Sequence, residues 1–353
     1  MHNTNISDSI LSWYYEHKRI LPWRETDDPY KIWLSEVMLQ QTQVKTVIPY
    51  YNQWIDLLPN IEGVALSNLS KLLKLWEGLG YYSRCRNFYK ACKIVCNNYH
   101  GKIPDNISLF KLLPGVGDYI SGAVMSIAYK LPYPAIDGNL TRIMIRYLGI
   151  KNYTKHNQLR VKKELSKFVD SLQPGDINQA LMDIGSSICK PNITYCVLCP
   201  LHKSCKGYLS GKPLYYSIKK NKKVLPLKNI IAGFIIENDK IFIVKRLEEG
   251  LLGGLWELPM ITVNNINDKF IYQKFLKDKY HIDININKKV GNILHSFTHY
   301  KMSIDLYKCT LSSKNYNSKV VLDNKWIDIS KINQYAFHKA NHKLFDLLSI
   351  NNV

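Results

Sequence analysis

Apolar residues recur every three or four positions through the first two hundred residues, which is the spacing of helices that bury one face. Caps, prolines and glycines divide this pattern into segments. Asp28-Pro29, for example, is a capping residue followed by a proline at the first helical turn, and Ser7 is a candidate cap for the first helix. The pattern predicts helices over residues 7–17, 30–41, 43–57, 68–77, 82–98, 118–129, 139–148, 157–171 and 176–188.

The pattern changes near residue 210. Residues 208–229 contain six lysines, two prolines and no acidic residue, a composition typical of a solvated linker. Beyond it, apolar and polar residues alternate as in strands. This predicts strands over 230–236, 241–245, 289–297, 300–310 and 325–329, and helices over 268–280 and 338–349. We therefore expect a multidomain protein with an all-α domain over 1–207, a basic linker over 208–229 and an α+β domain over 230–353.

Charge and cysteine content narrow the function class. A formal net charge of +20 predicts attraction to a polyanion such as nucleic acid. The chain has no run of eighteen apolar residues and begins with a polar stretch, so we expect neither a membrane span nor a secretory signal. Eight cysteines in a chain of this length do not suggest a secreted disulfide scaffold, and a reducing cytosol is favoured.

A glycine-rich turn stands between two helical patterns. The first pattern ends with Lys111, Leu112 and Leu113, the turn continues through Pro114-Gly115-Val116-Gly117, and a second pattern begins at Asp118. Gly115 and Gly117 permit positive φ and a close backbone approach, and the free amides that open the second helix suit a phosphate. This predicts an anion-binding helix–hairpin–helix over about 108–129, although a tight turn between helices explains the same residues.

Four of the cysteines are clustered with the spacing C-x6-C-x2-C-x5-C. Four thiolates this close in sequence can surround one soft metal centre. Zinc is the general alternative, but zinc sites usually pair two C-x2-C knuckles and this stretch has only one. The four residues are Cys189, Cys196, Cys199 and Cys205.

Two carboxylic acids occupy contrasting sequence environments. Glu36 lies within a helical pattern among apolar residues, where burial would favour its protonated form. Asp137 stands at a predicted helix start, where the dipole and free amides favour its ionised form. Such a pair could supply both an acid and an anion to one reaction, although an Asp at a helix start is usually only a cap.

Taken together, these motifs resemble those of the adenine DNA glycosylases (the MutY type) of the helix–hairpin–helix, or endonuclease III, superfamily. The segment 35–43, Ser-Glu-Val-Met-Leu-Gln-Gln-Thr-Gln, closely matches that family's motif. The cysteine spacing over 189–205 is similar to its [4Fe–4S] loop, and Gly253-Gly254-Leu255-Trp256-Glu257-Leu258-Pro259 resembles its C-terminal Nudix-like domain. The resemblance implies one [4Fe–4S] cluster as cofactor and base excision as the activity.

The resemblance also implies roles for individual residues. Glu36 would protonate an extruded adenine, and Asp137 would stabilise the sugar cation across a pocket sized for a purine. Tyr119 and Asn139 would hydrogen-bond this pair, and Arg24 would read adenine unless it simply pairs with Glu25 or a phosphate. Gln41, Leu79 and Tyr81 would form a wedge that enters the base stack. Further residues implied in DNA binding are Thr42, Gly115, Gly117, Phe297, Thr298 and His299.

Three positions refine these expectations. Tyr119 stands where lyases of the superfamily carry a nucleophilic lysine, so we expect a monofunctional glycosylase. Thr298 replaces the usual serine of the loop that, in the family this chain resembles, senses 8-oxoguanine; its hydroxyl can still hydrogen-bond, while its extra methyl group would change the fine geometry. Residues 260–285 contain no glutamate, so Nudix pyrophosphatase activity is not expected.

The resemblance further implies a monomer in the cytoplasm of a bacterium, associated with the nucleoid. Its partner would be duplex DNA with adenine opposite 8-oxoguanine or guanine. Two other functions fit many of the same residues. One is a glycosylase/lyase for oxidised pyrimidines, and the other is a DNA-binding iron–sulfur module without catalysis.

Overall fold

The computed structural model describes residues 3–218, 224–264, 268–312 and 324–350. The chain forms two compact units, the first comprising Met1–Leu66 with Asn87–Asn221 and the second Ser67–Arg86 with Lys222–Val353. A helical first part and a sheet-containing second part confirm the expected fold class. The grouping of Ser67–Arg86 with the C-terminal unit was not expected from the sequence.

Helices account for the fold up to residue 209, close to where the periodicity places them. In chain order they are α1 Asn3–His17, α2 Pro29–Leu39, α3 Val44–Leu57, α4 Ile61–Leu66, α5 Leu69–Leu75, α6 Ser83–Tyr99, α7 Ile107–Phe110, α8 Asp118–Ile127, α9 Gly138–Leu148, α10 Lys155–Val169, α11 Pro174–Ser187 and α12 Lys206–Leu209. None of the helices in the described ranges is long and apolar enough to cross a bilayer.

Three local expectations were wrong. Ser7 does not cap α1 but lies inside it, where its hydroxyl donates to the Phe168 carbonyl oxygen at 3.1 Å. The first helix of the hairpin is the short α7, which ends at Phe110 rather than at residues 111–113. The basic linker is shorter than expected, because α12 reaches Leu209 and the first strand already begins at Leu227.

Aromatic packing explains the burial of α2. Eight of its residues are buried, namely every residue from Tyr30 to Met38 except Lys31. A helix that is apolar on nearly all sides must be covered on all sides. The Trp33 ring packs edge-on against Phe88 and Phe110, with centroids 4.9 and 5.1 Å away. The rest of α2, including Glu36, is therefore held in the interior.

The C-terminal unit is built on one seven-stranded sheet. Its strands are β1 Leu227–Glu237, β2 Lys240–Lys245, β3 Trp256–Glu257, β4 Met260–Val263, β5 Ile284–Ser296, β6 Lys301–Leu311 and β7 Asn324–Asp328. Their order is β3-β2-β1-β6-β5, with β4 also paired to β1 and β7 to β2. The β1–β6 pair is parallel, and Ile230 lies opposite Ile304.

A helix covers each face of this sheet, because alternate strand residues point to opposite sides. Ile230 and Phe234 pack with helix α14, Lys339–Leu347, whereas Ile231 and Ile235 pack with helix α13, Lys269–Tyr280. Asn238 and Asp239 join β1 to β2 with φ of 47° and 61°, the left-handed conformation of a tight hairpin turn.

Candidate active site

Glu36 is a buried acid, with 4% of its surface exposed. The pKa of its carboxyl group is raised to about 7, mainly by burial and in part by the negative charge of the neighbouring Asp137. Hydrogen bonding by Tyr119 and the positive charge of Arg24 act in the opposite direction. Glu36 can therefore carry a proton near neutral pH, as a general acid must.

Tyr119 binds this acid directly. It lies in the first turn of α8, and its hydroxyl donates a hydrogen bond to Glu36 Oε2. Burial and the negative charge of Glu36 raise the pKa of Tyr119 well above its ordinary value, so the phenol remains a donor. The hairpin thus places a hydroxyl group, and no amine, beside the acid.

Asp137 is the N-cap of α9. Its Oδ1 accepts from the Leu140 amide at 2.7 Å, and its Oδ2 accepts from Asn139 Nδ2 at 2.9 Å. We expected the helix start to lower the pKa of Asp137, but the net shift is upward, because burial outweighs these donors and Arg142. The same donors nevertheless bind the carboxylate form, which gives Asp137 more partners for a negative charge than Glu36 has.

Arg24 pairs neither with Glu25 nor with a surface anion. Its guanidinium makes a two-pronged ion pair with Asp183, Nη1 to Oδ2 at 2.7 Å and Nη2 to Oδ1 at 3.0 Å. Arg19 Nε binds the same carboxylate at 2.7 Å. Asp183 was not among the functional residues predicted from the sequence, although it is the only charged residue between positions 177 and 188.

A small cavity lies beside the acid. Arg24, Glu36 and Gln179 are among its lining residues, and its volume is about 40 Å³. This space holds about three water molecules, given the 10–15 Å³ that each needs. This space is too small for a purine, so a base would enter it only if lining side chains moved. Asp137 does not line it, and the purine-sized pocket between Glu36 and Asp137 stays a prediction.

The two glycines of the hairpin turn adopt different conformations. Gly115 has φ of +81°, and a Cβ there would lie 2.9 Å from the Asn87 side chain. Gly117 has φ of −95° and ψ of −174°, an extended conformation, so it does not use the positive φ that glycine permits. A Cβ on Gly117 would meet no atom within 4 Å, which leaves the start of α8 open to an approaching phosphate.

Gln41 and Thr42 follow the last turn of α2. Gln41 is exposed and has φ of 56°, which costs free energy for a residue with a side chain. Thr42 is half-buried, and its amide donates to the Leu39 carbonyl oxygen at 3.2 Å. Gln41 is thus presented outward by a conformation that the local sequence alone would not favour.

In the second unit, the two residues expected to enter the base stack differ in exposure. Leu79 is buried, with 5% of its surface exposed, and therefore does not project. Tyr81 is 43% exposed and has φ of 47°. Its hydroxyl lies 3.1 Å from the Thr298 hydroxyl.

Phe297, Thr298 and His299 form the turn between β5 and β6. The Phe297 amide donates to the Tyr300 carbonyl oxygen at 2.9 Å. The Phe297 ring packs 4.6 Å from the His295 ring, and burial lowers the pKa of His295 to about 4. The exposed tip of the turn consists of Thr298 and His299.

The four clustered cysteines line one cavity in the first unit. Cys199 accepts a hydrogen bond from the Leu201 amide, and Cys205 accepts from the Gly207 and Tyr208 amides. Donors of this kind suit sulfur atoms that carry negative charge. Within the described ranges, however, no group of three or more His, Cys, Asp or Glu side chains is arranged to hold a metal ion.

Two arginines one turn apart on α9, which the sequence analysis also missed, contact the first of these cysteines. Arg146 Nη1 lies 3.2 Å from Cys189 Sγ, and Arg142 Nε donates to the Cys189 carbonyl oxygen at 2.8 Å. Arg142 Nη2 also donates to Asn139 Oδ1 at 2.8 Å.

A Cβ on Gly185 would lie 2.7 Å from Asn139 Cβ, so only glycine allows α11 to approach α9 this closely.

Comparisons with known proteins agree with this geometry. Residues 34–170 match the HhH-GPD superfamily of base excision DNA repair proteins, and residues 231–347 match the NUDIX domain. The structure of a thermostable thymine-DNA glycosylase is similar with a TM-score of 0.55 and 28% identity over 59% of this chain and 97% of that one. A trapped endonuclease III–DNA covalent intermediate shares the fold, with a TM-score of 0.51 and 20% identity over 60% and 99% of the chains.

Fold and site thus define a helix–hairpin–helix base excision DNA repair protein with a Nudix-like second unit. The adenine DNA glycosylase of Buchnera aphidicola subsp. Baizongia pistaciae is 36% identical over 93% of this chain and 87% of its own length. That of Buchnera aphidicola subsp. Schizaphis graminum is 34% identical over 97% and 98%, and the Homo sapiens protein is 30% identical over 97% and 73%. The chain belongs to the adenine DNA glycosylase family.

Proposed function

We propose that this protein removes adenine from duplex DNA where adenine is paired with 8-oxoguanine or guanine. The observation that carries the proposal is Glu36, a buried acid whose pKa is raised to about 7 and which interacts electrostatically with Asp137. Hydrolysis of an N-glycosidic bond needs a proton for the leaving base and an anion beside the sugar, and these two acids can supply both.

The reaction assigned to the site balances as follows. Glu36 gives its proton to the flipped adenine, and the bond from the base to the sugar carbon breaks with its electron pair going to the base. Asp137 stabilises the cationic sugar through its negative charge. A water molecule then bonds to that carbon, and its proton returns to the Glu36 carboxylate.

Arg24 is the residue proposed to contact the adenine. It lines the same cavity as Glu36, and its guanidinium donates two hydrogen bonds to the Asp183 carboxylate. A guanidinium fixed in this way offers remaining N–H donors in a set direction. Because the cavity is small in this structure, we infer that entry of the base displaces side chains around Arg24 and Glu36.

Strand cleavage by a Schiff base is not part of the proposed activity. Such a step needs an amine at the sugar carbon, and the position beside Glu36 is occupied by the Tyr119 hydroxyl. We therefore propose a monofunctional glycosylase. Trapping of a covalent enzyme–DNA adduct by borohydride would instead favour the glycosylase/lyase alternative.

DNA contacts are proposed for residues that are exposed or held in an outward conformation. In the first unit these are Gln41, Thr42, Gly115 and Gly117. In the second unit they are Tyr81 and the turn Phe297–Thr298–His299, which we propose senses the base opposite adenine. Leu79 is no longer included as a wedge, since its side chain is buried. The net charge of +20 suits binding to DNA, and we propose a monomer that works on the bacterial nucleoid.

Cys189, Cys196, Cys199 and Cys205 are proposed to hold one [4Fe–4S] cluster. Their side chains line a common cavity but are not arranged around a single ion. Tetrahedral zinc would need all four within roughly 4 Å of one another, since Zn–S bonds are about 2.3 Å. A four-iron cluster needs wider spacing, and when bound it would cross-link the loop that follows α11.

The direct test is adenine release from duplexes containing A·8-oxoguanine, A·G and A·T. The proposal predicts release from the first two and little from the third. Duplex binding without adenine release from any of them would contradict it and leave only the DNA-binding module.

A further inference from the structure

The segment Ser67–Arg86 is hydrogen-bonded to the rest of the second unit at two places, at Glu77 in its middle and at Arg86 at its end. It contains α5, the loop Gly78–Tyr82 and the first residues of α6. Two charged residues, Glu77 and Arg86, stand immediately before and shortly after the loop. Each binds residues that lie more than 160 positions away in the chain.

Glu77 makes the first set of contacts. Its Oε1 accepts from the Phe337 amide at 2.7 Å and lies 2.8 Å from His342 Nε2. Lys74 forms an ion pair with Glu77 and also donates to the Tyr335 carbonyl oxygen at 3.1 Å. Burial would raise the pKa of Glu77, but these partners outweigh it and lower the pKa, so the carboxylate stays charged.

Arg86 makes the second set. Its Nη1 donates to the Gly253 carbonyl oxygen at 2.8 Å, and its Nη2 donates to the Gly250 carbonyl oxygen at 2.9 Å. The residue is buried, with 8% of its surface exposed. A lysine could keep the charge but could not reproduce this two-pronged geometry.

The loop between these residues is itself tightly bonded. The Gly80 carbonyl oxygen accepts from Trp76 Nε1 at 3.1 Å and from Arg84 Nη2 at 3.0 Å. The Gly78 amide donates to the Tyr82 hydroxyl at 3.2 Å. Tyr81 is thereby held in a left-handed conformation, with its hydroxyl 3.1 Å from that of Thr298.

We propose that Glu77 and Arg86 are positioning residues for discrimination of the base opposite adenine, because they fix the Tyr81 loop to the unit that carries Thr298. The inference rests on the proposed function. A cleft of about 760 Å³ lies between the Tyr81 loop and the Thr298 turn, and both line it. Loosening either the Glu77 contacts or the Arg86 contacts would widen the range of separations between Tyr81 and Thr298, and discrimination would fall.

The test compares Glu77→Ala and Arg86→Lys with wild type. Glu77→Gln is the conservative variant, and Glu249→Gln is the control, an exposed acid in the same unit. Single-turnover rates of adenine release are measured on A·8-oxoguanine and A·G duplexes, and amide hydrogen exchange is followed over residues 78–82. In Glu77→Ala and Arg86→Lys we expect faster exchange and a roughly tenfold lower ratio of the A·8-oxoguanine rate to the A·G rate. A factor of this size is expected from the loss of one hydrogen bond to a charged group.

Unchanged exchange in the loop, or an unchanged rate ratio in both variants, would overturn the inference. A comparable fall of both rates with no change in their ratio would also overturn it, because that is the signature of a merely structural role. Failure of the proposed function would be visible separately, as absence of adenine release by the wild-type protein.

Discussion

Tyr119 donates its hydroxyl hydrogen bond to the Glu36 carboxyl group, although the two residues are 83 positions apart in the chain. The contact joins the buried helix α2 to the hairpin helix α8. It places on the acid a donor that cannot act as an amine nucleophile. The proposed chemistry depends on this pairing, since it orients Glu36, while burial keeps the pKa of Glu36 raised against the opposing effect of the hydrogen bond.

The raised pKa of Glu36 makes stability depend on pH. The pKa of Glu36 is about 7 in the folded protein, and its ordinary value is 4.5. Between pH 4.5 and pH 7, therefore, Glu36 keeps its proton in the folded protein and has lost it in the unfolded chain. Stability should therefore fall as pH rises from about 4.5 to about 7. Glu36→Gln should remove this loss, so at pH 8 it should be more stable than wild type by roughly 3 kcal/mol.

Urea denaturation at pH 5 and pH 8 measures this difference. The gap between Glu36→Gln and wild type should shrink at pH 5. A gap that is equal at both pH values would mean that Glu36 titrates normally in the folded state.

Asp183 should contribute to stability through its buried ion pairs. Asp183→Asn leaves Arg24 with a weaker partner, and breaking a buried pair typically costs about 3–5 kcal/mol. Adenine release should also slow, because the guanidinium is no longer held beside Glu36. Urea denaturation and single-turnover assays measure both effects, with Asp170→Asn as an exposed control. Stability equal to that of the control would argue against the role of this pair.

Cys199→Ser should abolish cluster binding. The purified variant should lose the visible charge-transfer absorbance of an iron–sulfur centre, while Cys96→Ser, outside the four-cysteine loop, should keep it. Elemental analysis should find about four iron atoms per wild-type chain if one [4Fe–4S] cluster is bound. One zinc ion and no iron would contradict the assignment.

The β5–β6 turn should govern preference for the opposite base. Phe297→Ala combined with His299→Ala should lower the ratio of rates on A·8-oxoguanine and A·G by about tenfold, the order of one lost base contact. Cleavage of A·G should persist. Lys308→Ala, on the adjoining strand, is the control. Equal losses on both duplexes would mean that the turn does not sense the oxidised base.

Local sequence patterns predicted much of this architecture. Helical spacing located most of the helices, and a run of apolar residues around Glu36 predicted its burial, since such a helix must be covered on all sides. The Asn238-Asp239 turn was also predictable, because those residue types tolerate positive φ.

Long-range partners were not predictable. Arg24 and Asp183 are 159 positions apart, and only the fold brings them together. The helix start suggested a lowered pKa for Asp137, but burial by the surrounding chain reversed the net direction. Similarly, nothing in the local sequence of residues 67–86 indicates that Glu77 binds the Phe337 amide.

Adenine release by Glu36→Gln under single-turnover conditions is the most direct measurement of the central claim. The amide keeps the size of the side chain and can accept the Tyr119 hydrogen bond, but it has no proton to give. We predict that the variant binds an A·8-oxoguanine duplex as wild type does and releases adenine at least about a hundredfold more slowly. Release at the wild-type rate would contradict the assignment of Glu36 as the acid.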